Sequence, residues 1–113
     1  MSSSGYASRK GQINTLSHTE DQLIEMLRSD SSEDVYEAFS AIGKLKIKNA
    51  LQNLKTIALY DEDQSIQKEA IRTIRKIGGR KAFEILRFLI GTEHKEFVRE
   101  MLDLKYIEDI DAF

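Results

Sequence analysis

The chain has 113 residues, of which 41% are hydrophobic and 32% are charged, and its net charge is −2. This size and balance predict one small globular domain, and the slight negative charge argues against nucleic-acid binding by bulk attraction alone. The sequence has no cysteine, which excludes disulfides, thiolate catalysis and cysteine-ligated zinc and is compatible with the cytoplasmic location we expect.

The first helix signal follows a segment of different composition. Residues 1–17 are rich in serine and glycine and lack the apolar core of a secretory signal, so we predict a disordered N-terminal tail. Thr19 and Gln22 then have the spacing of a capping box. The apolar residues of the helix that they open are Leu23, Met26 and Leu27.

The next two helices are predicted on either side of an Ile-Gly pair. Ser31 and Ser32 offer N-caps for a second helix, which Gly43 is expected to end in a left-handed cap. A third helix follows, and residues 61–63 are three acids that suit the start of the helix after it. The apolar stripes of these two helices are Val35, Phe39 and Ile42, then Ile47, Leu51, Leu54 and Ala58.

Three further helical segments complete the series. Gly78-Gly79 and Gly91 are predicted stops, and Thr92 opens the last helix. Residues 105–113 are predicted to form a short acidic tail. The apolar stripes are Ile66, Ala70, Ile74 and Ile77, then Ala82, Leu86 and Leu89, then Phe97, Val98, Met101, Leu102 and Leu104.

The chain contains an internal repeat. Ile42-Gly43 recurs as Ile77-Gly78, and the same shift of 35 residues pairs Leu51 with Leu86 and Leu54 with Leu89. Such a period is typical of stacked helical hairpins. We therefore predict an all-α, right-handed α-solenoid of antiparallel hairpins over residues 18–104, with about six helices. These would form two full repeats, each of a helix A and a helix B, and two half-repeats.

The second repeat resembles a known family. Its pattern resembles a HEAT repeat of the short bacterial and archaeal variety first noticed in phycobilin lyases, and the resemblance covers residues 19–104. It implies a concave side lined by the B helices. The chain departs from the family where Gln67 replaces an opening arginine and where Lys44-Leu45 and Gly79-Arg80 replace Asp-Pro. The residues that carry the resemblance are Ile66, Ala70, Ile74, Ile77, Gly78, Ala82, Leu86 and Leu89.

Two surfaces are candidates for recognition. At the turns from helix A to helix B, basic residues lie where the helix dipole disfavours them, so an acidic partner is expected there. This basic edge consists of Lys44, Lys46, Lys48, Arg80 and Lys81. Outward positions of the B helices combine aromatic and charged residues, as interface hot spots do. This B-helix surface consists of Gln52, Asn53, Tyr60, Glu84, Arg87 and Phe88.

We expect a non-catalytic protein–protein interaction module, a small adaptor or scaffold, because no nucleophile or converging acid–base set is visible. One alternative is a nucleic-acid-binding module that uses the basic edge, and another is a lyase-type enzyme or enzyme subunit, as the resemblance implies. No cofactor, metal or membrane is expected. The two histidines, His18 and His94, are far apart, which argues against a metal site.

Self-association is a further expectation. The apolar residues between Phe97 and Leu104 span more than one face of their helix, so something must cover them. Either a second copy does so, or the last residues of the chain fold back. The candidates for folding back are Tyr106, Ile107, Ile110 and Phe113.

Overall fold

A computed structural model describes residues 19–112 of the chain, and over that range it contains helices and no strand. The predicted tail 1–17, His18 and Phe113 lie outside the described residues. A short 3-10 turn at Lys48–Ala50 precedes the third helix. The helices are α1 (Glu20–Met26), α2 (Ser32–Leu45), α3 (Leu51–Tyr60), α4 (Gln64–Ile77), α5 (Gly79–Ile90), α6 (Lys95–Glu100) and α7 (Leu104–Ala112).

The helices form two layers, with α4 at the centre. Helices α2, α4 and α6 are the A helices, and α4 contacts both of the others. Helices α1, α3 and α5 are the B helices, and α3 contacts α5 within this layer. Because α4 also contacts α3 and α5, it joins the layers and the two repeats. The predicted all-α stack is confirmed, whereas its handedness stays a prediction.

The residues that the repeat places in register are the core. Leu54 and Leu86 have no exposed side-chain surface, and Leu51 and Leu89 are exposed by 3% or less. Full burial of such a side chain stabilises the fold by about 1.5–3 kcal/mol. The equivalent pair on the A helices, Phe39 and Ile74, is buried as well.

The predicted caps at the helix starts are confirmed. Thr19 Oγ1 accepts from the Gln22 N–H at 3.1 Å, and Gln22 Oε1 accepts from the Thr19 N–H at 2.9 Å, which completes the capping box. Ser31 caps α2, and Asp63 caps α4 by accepting from the Ser65 N–H at 2.8 Å. Side-chain acceptors at these positions satisfy N–H groups that the helix itself leaves without partners.

The two Ile-Gly pairs play different roles, which corrects one prediction. Gly78 ends α4 with φ +69°, as expected. Gly43 does not end α2; it is buried inside the helix, which continues to Leu45 and ends at Lys46 with φ 54°. A Cβ on Gly43 would lie 3.1 Å from Lys76 Cδ, so the glycine sits where α2 packs against α4.

Side chains from one repeat bind the carbonyl groups at helix ends in the other. The Gln67 amide donates to the Ala58 carbonyl at 3.0 Å in a buried position, where it joins α4 to the end of α3. Lys46 Nζ donates to the Lys76 carbonyl at 3.0 Å, which joins the end of α2 to the end of α4. These bonds occupy carbonyl groups that lack partners at helix C-termini.

His94 makes a third bond of this kind. Its Nε2 lies 3.1 Å from the Leu59 carbonyl, and because a carbonyl only accepts, this nitrogen carries the proton. The imidazole stacks on the Phe97 ring with centroids 5.2 Å apart. His94 therefore ties the turn before α6 to the end of α3.

The predicted acidic tail is wrong over most of its length, because residues 104–112 form the helix α7. Ile107 and Ile110 are buried, so the segment folds back as one alternative had it. The missed signal is the spacing of Tyr106, Ile107 and Ile110, which is that of an amphipathic helix.

Helix α7 is held by aromatic and charged contacts. The Arg75 guanidinium carbon lies 4.2 Å from the centroid of the Tyr106 ring, and Arg75 Nε donates a hydrogen bond to Asp103 Oδ1 at 3.3 Å. Tyr106 also packs edge-on against Phe83. Burial raises the pKa of Tyr106, with Arg75 opposing the shift. Desolvation acts to raise the pKa of Asp103, but hydrogen bonds from the backbone and Arg75 outweigh it and lower the value.

The open end of the stack is largely covered by the chain itself. Val98 and Leu102 are buried, and Phe97 and Met101 are half-buried. Leu104 stays 70% exposed. Self-association through the Phe97–Leu104 segment stays a prediction, with little apolar surface left to drive it.

Replacing Gln67 with Met should destabilise the fold by about 1–2 kcal/mol, because the buried Ala58 carbonyl would lose its donor while the side-chain volume is kept. Urea unfolding followed by circular dichroism measures this. The control is Gln52→Met on the exposed side of α3, which should change stability by less than about 0.5 kcal/mol. Equal unfolding midpoints for the two variants would contradict this role of Gln67.

The two glycines should respond differently to alanine. Gly78→Ala should cost about 1–3 kcal/mol, since its backbone region is essentially open to glycine alone. Gly43→Ala should cost nothing and gain up to about 1 kcal/mol of helix propensity, because the nearest atom belongs to the flexible end of Lys76. The same unfolding experiment decides, and a larger loss at Gly43 than at Gly78 would reverse the assignment.

Candidate partner-binding surface

The outward side of α3 carries polar and aromatic residues. The buried side of the helix consists of Leu51, Leu54 and Ala58. Gln52 and Tyr60 are exposed, as predicted. Tyr60 is 76% exposed at the last position of the helix. An aromatic side chain in that position contributes little to the core, so it is available for contact with another molecule.

Phe88 on α5 is 50% exposed and faces the neighbouring repeat. Lys55 Nζ of α3 lies 4.5 Å from the centroid of its ring, which is the geometry of a cation–π contact. Lys55 was not among the predicted surface residues. The repeat register alone does not pair it with Phe88, because the contact depends on how α3 and α5 pack.

Asn53 lies on the flank of α3 opposite to the one that faces Phe88, and the grouping of these two residues in one binding surface stays a prediction. Side chains two positions apart in a helix point in directions that differ by about 200°, so Asn53 and Lys55 lie on opposite flanks of α3. Asn53 is half-buried and faces α1. It lines a crevice of about 260 Å³ together with Leu27, Arg28, Thr56 and Ile57.

Glu84 and Arg87 are exposed on α5. Glu84 Oε2 lies 3.5 Å from Arg80 Nε, one helical turn earlier. Both partners are more than half exposed, so the pair adds little stability. It does bring the basic edge and the B-helix surface into contact with each other.

The basic edge is brought together by the stacking of the two A-to-B turns. Lys46 Nζ donates to the Lys76 carbonyl. Lys48 Nζ lies close to Gly79, since a Cβ on this glycine would be 3.8 Å from it. Lys44, Lys48, Arg80 and Lys81 are exposed. Lys46 has a structural role that the dipole argument overlooked, because it supplies a cation to the C-terminus of α4.

The acids in the turn between α3 and α4 are largely explained by local structure. Asp63 caps α4, and Asp61 Oδ1 accepts from the Asp63 N–H at 2.9 Å. Within residues 19–112, no group of three or more potential metal ligands comes together. These acids therefore act as caps, and we assign no cation site to them.

Comparison with known proteins agrees with this architecture. A family model described as HEAT repeats matches residues 20–102. No curated protein and no solved structure matches the chain significantly. Among the described residues, no helix has the length and apolarity needed to cross a membrane.

The contact between Lys55 and Phe88 should be measurable as a coupling of about 0.5–1 kcal/mol in a double-mutant cycle with Lys55→Ala and Phe88→Ala. Unfolding free energies of the four proteins give this value. A cycle that combines Phe88→Ala with Lys105→Ala on α7 is the control and should be additive. Additivity in both cycles would mean that the contact contributes nothing in solution.

Proposed function

The chain belongs to the HEAT-repeat family, and we propose from this premise that it is a non-catalytic protein-binding module, a small adaptor or scaffold of the cytoplasm. HEAT repeats commonly mediate protein–protein interaction. In such arrays the shared apolar positions build the stack, and the outward positions are free to differ between repeats. We propose that the outward sides of α3 and α5, with the neighbouring basic edge, bind the partner.

The observation that carries this proposal is the exposure of Phe88 in a fixed position. Half of its surface is open, while Lys55 of the preceding repeat holds the ring from one side. A ring that is already ordered loses little entropy on binding, so its contact area contributes efficiently to affinity. Aromatic residues beside cations are the usual centre of interface hot spots.

A second feature supports the same surface. Among the aromatic side chains of residues 19–112, Tyr60 and Phe88 are the most exposed, and both belong to the B layer. Tyr36, on the A layer, is less exposed and packs against Phe39. The exposed aromatic surface is thus concentrated on the B layer, where Gln52 and Arg87 surround it with polar groups.

Replacing Phe88 with Ala should remove partners that depend on this surface. Loss of a hot-spot side chain costs about 2 kcal/mol or more, which corresponds to about thirty-fold in affinity. The experiment is capture of partners by the tagged full chain from its native cells, with quantitative mass spectrometry. Partners of the wild-type protein should be depleted with Phe88→Ala.

Leu104→Ala is the matched control, because it removes an exposed apolar side chain at the other end of the stack. It should leave the partner list unchanged. Circular dichroism establishes that both variants fold. A partner list that survives Phe88→Ala, or that is lost equally with both variants, would refute the assignment of the B layer as the binding surface.

A further inference from the structure

Helices α3 and α5 pack side by side, so a shallow groove runs between them on the outer side of the B layer. Lys55 on α3 and Phe88 on α5 face each other across it. Lys81 precedes Phe88 by seven residues, which is nearly two full turns, so both lie on the same flank of α5. Lys48 lies at the start of α5, beside Gly79. We call this tract, defined by Lys48, Lys55, Lys81 and Phe88, the inter-repeat groove.

The charge of the groove is one-sided. No acidic residue occurs between Ala38 and Tyr60, so α3 carries none. Helix α5 has a single acid, Glu84, which is paired with Arg80. Lys48 and Lys81 are therefore exposed, Lys55 is half-buried against Phe88, and the only acidic side chain on either helix is paired with Arg80.

We propose that the inter-repeat groove binds an acidic peptide segment that carries one apolar side chain, an inference that rests on the proposed protein-binding function. Carboxylates of the segment pair with Lys48 and Lys81 at the basic edge. The apolar side chain packs on the open part of the Phe88 ring. Charge complementarity sets the orientation and rate of binding, and the apolar contact supplies affinity.

The same geometry disfavours a nucleic acid as the occupant. One face of the Phe88 ring is already covered by Lys55 Nζ at 4.5 Å, and the groove as defined has no second aromatic ring on which a following base could stack. Axes of packed helices lie about 8–10 Å apart, so the groove is a shallow furrow on whose surface an extended peptide can contact both α3 and α5. A nucleic-acid duplex would contact the lysines only from outside the groove.

Selection from a random peptide library tests the proposal while the natural partner is still unidentified. The full chain is immobilised, and displayed 12-residue peptides are selected at low salt. The enriched peptides should contain several Asp or Glu residues around one apolar residue. A labelled synthetic copy of an enriched peptide then gives a dissociation constant by fluorescence anisotropy.

Two pairs of substitutions locate the site. Lys48→Glu with Lys81→Glu should weaken binding of the enriched peptide by about tenfold or more, since two attractive pairs become repulsive. Lys95→Glu with Lys105→Glu makes the same change of net charge outside the groove and should leave the affinity within about twofold. Phe88→Ala should also weaken binding but keep the wild-type dependence on salt, which the lysine variant should lose.

The outcomes separate this inference from the function on which it rests. Enriched peptides without acidic residues would overturn the inference and leave protein binding standing. Failure to enrich any peptide would overturn it as well. Equal losses with both lysine pairs would mean attraction by net charge alone. A labelled 12-nucleotide DNA strand that binds more tightly than the peptide would favour nucleic acid, and sedimentation that shows a dimer blocked by Lys48→Glu would favour a second copy.

Discussion

The structure depends on one requirement, which is that carbonyl groups at the ends of stacked helices need donors. A helix leaves its last four carbonyls without backbone partners, and one that a neighbouring element buries, such as that of Ala58, needs a donor from the protein itself. Here the amide of Gln67, the imidazole of His94 and the ammonium of Lys46 supply three of these donors. The bonds of Lys46 and His94 join residues 30 and 35 positions apart, and the bond of Gln67 joins the consecutive helices α3 and α4. Apolar packing is tolerant of small shifts, whereas a hydrogen bond is not, so these bonds determine how one hairpin sits on the next.

This requirement also limits which polar residues are available for recognition. Lys46 belongs to the basic edge by position, but its ammonium group is already engaged at the end of α4. Asp61 and Asp63 look like an acidic surface in the sequence, yet Asp63 caps α4 and Asp61 accepts a hydrogen bond from the Asp63 N–H in the turn before it. When the side chains that hold the stack together are left out, fewer residues are available for recognition. Lys48, Lys55, Lys81 and Phe88 remain, and they lie along one groove.

Periodic features of the fold could be predicted from the sequence, and features that depend on packing could not. The buried stripes and the caps at Thr19, Ser31 and Asp63 follow from helical spacing and local hydrogen bonding, which act within a few residues. The predicted end of α2 is wrong because Gly43 serves contact with α4, a neighbour that is distant in sequence. Helix α7 was not predicted because its acids resemble those of a solvated tail, although its apolar spacing is helical. The Lys55–Phe88 contact has no local signal at all.

The groove lies at a position where the two repeats differ, on the flank of each B helix that faces the B helix before it. Asn53 and Phe88 occupy equivalent positions, 35 residues apart, and each faces the B helix that precedes it. In the first groove the short amide leaves a crevice of about 260 Å³ beside α1. In the second, the Phe88 ring lies beside Lys55, and half of its surface is exposed to solvent. The same position therefore lines a small crevice in one repeat and an aromatic, lysine-lined groove in the other. A partner that requires an apolar contact beside cations can distinguish the two grooves, although the helices that form them are built on the same pattern.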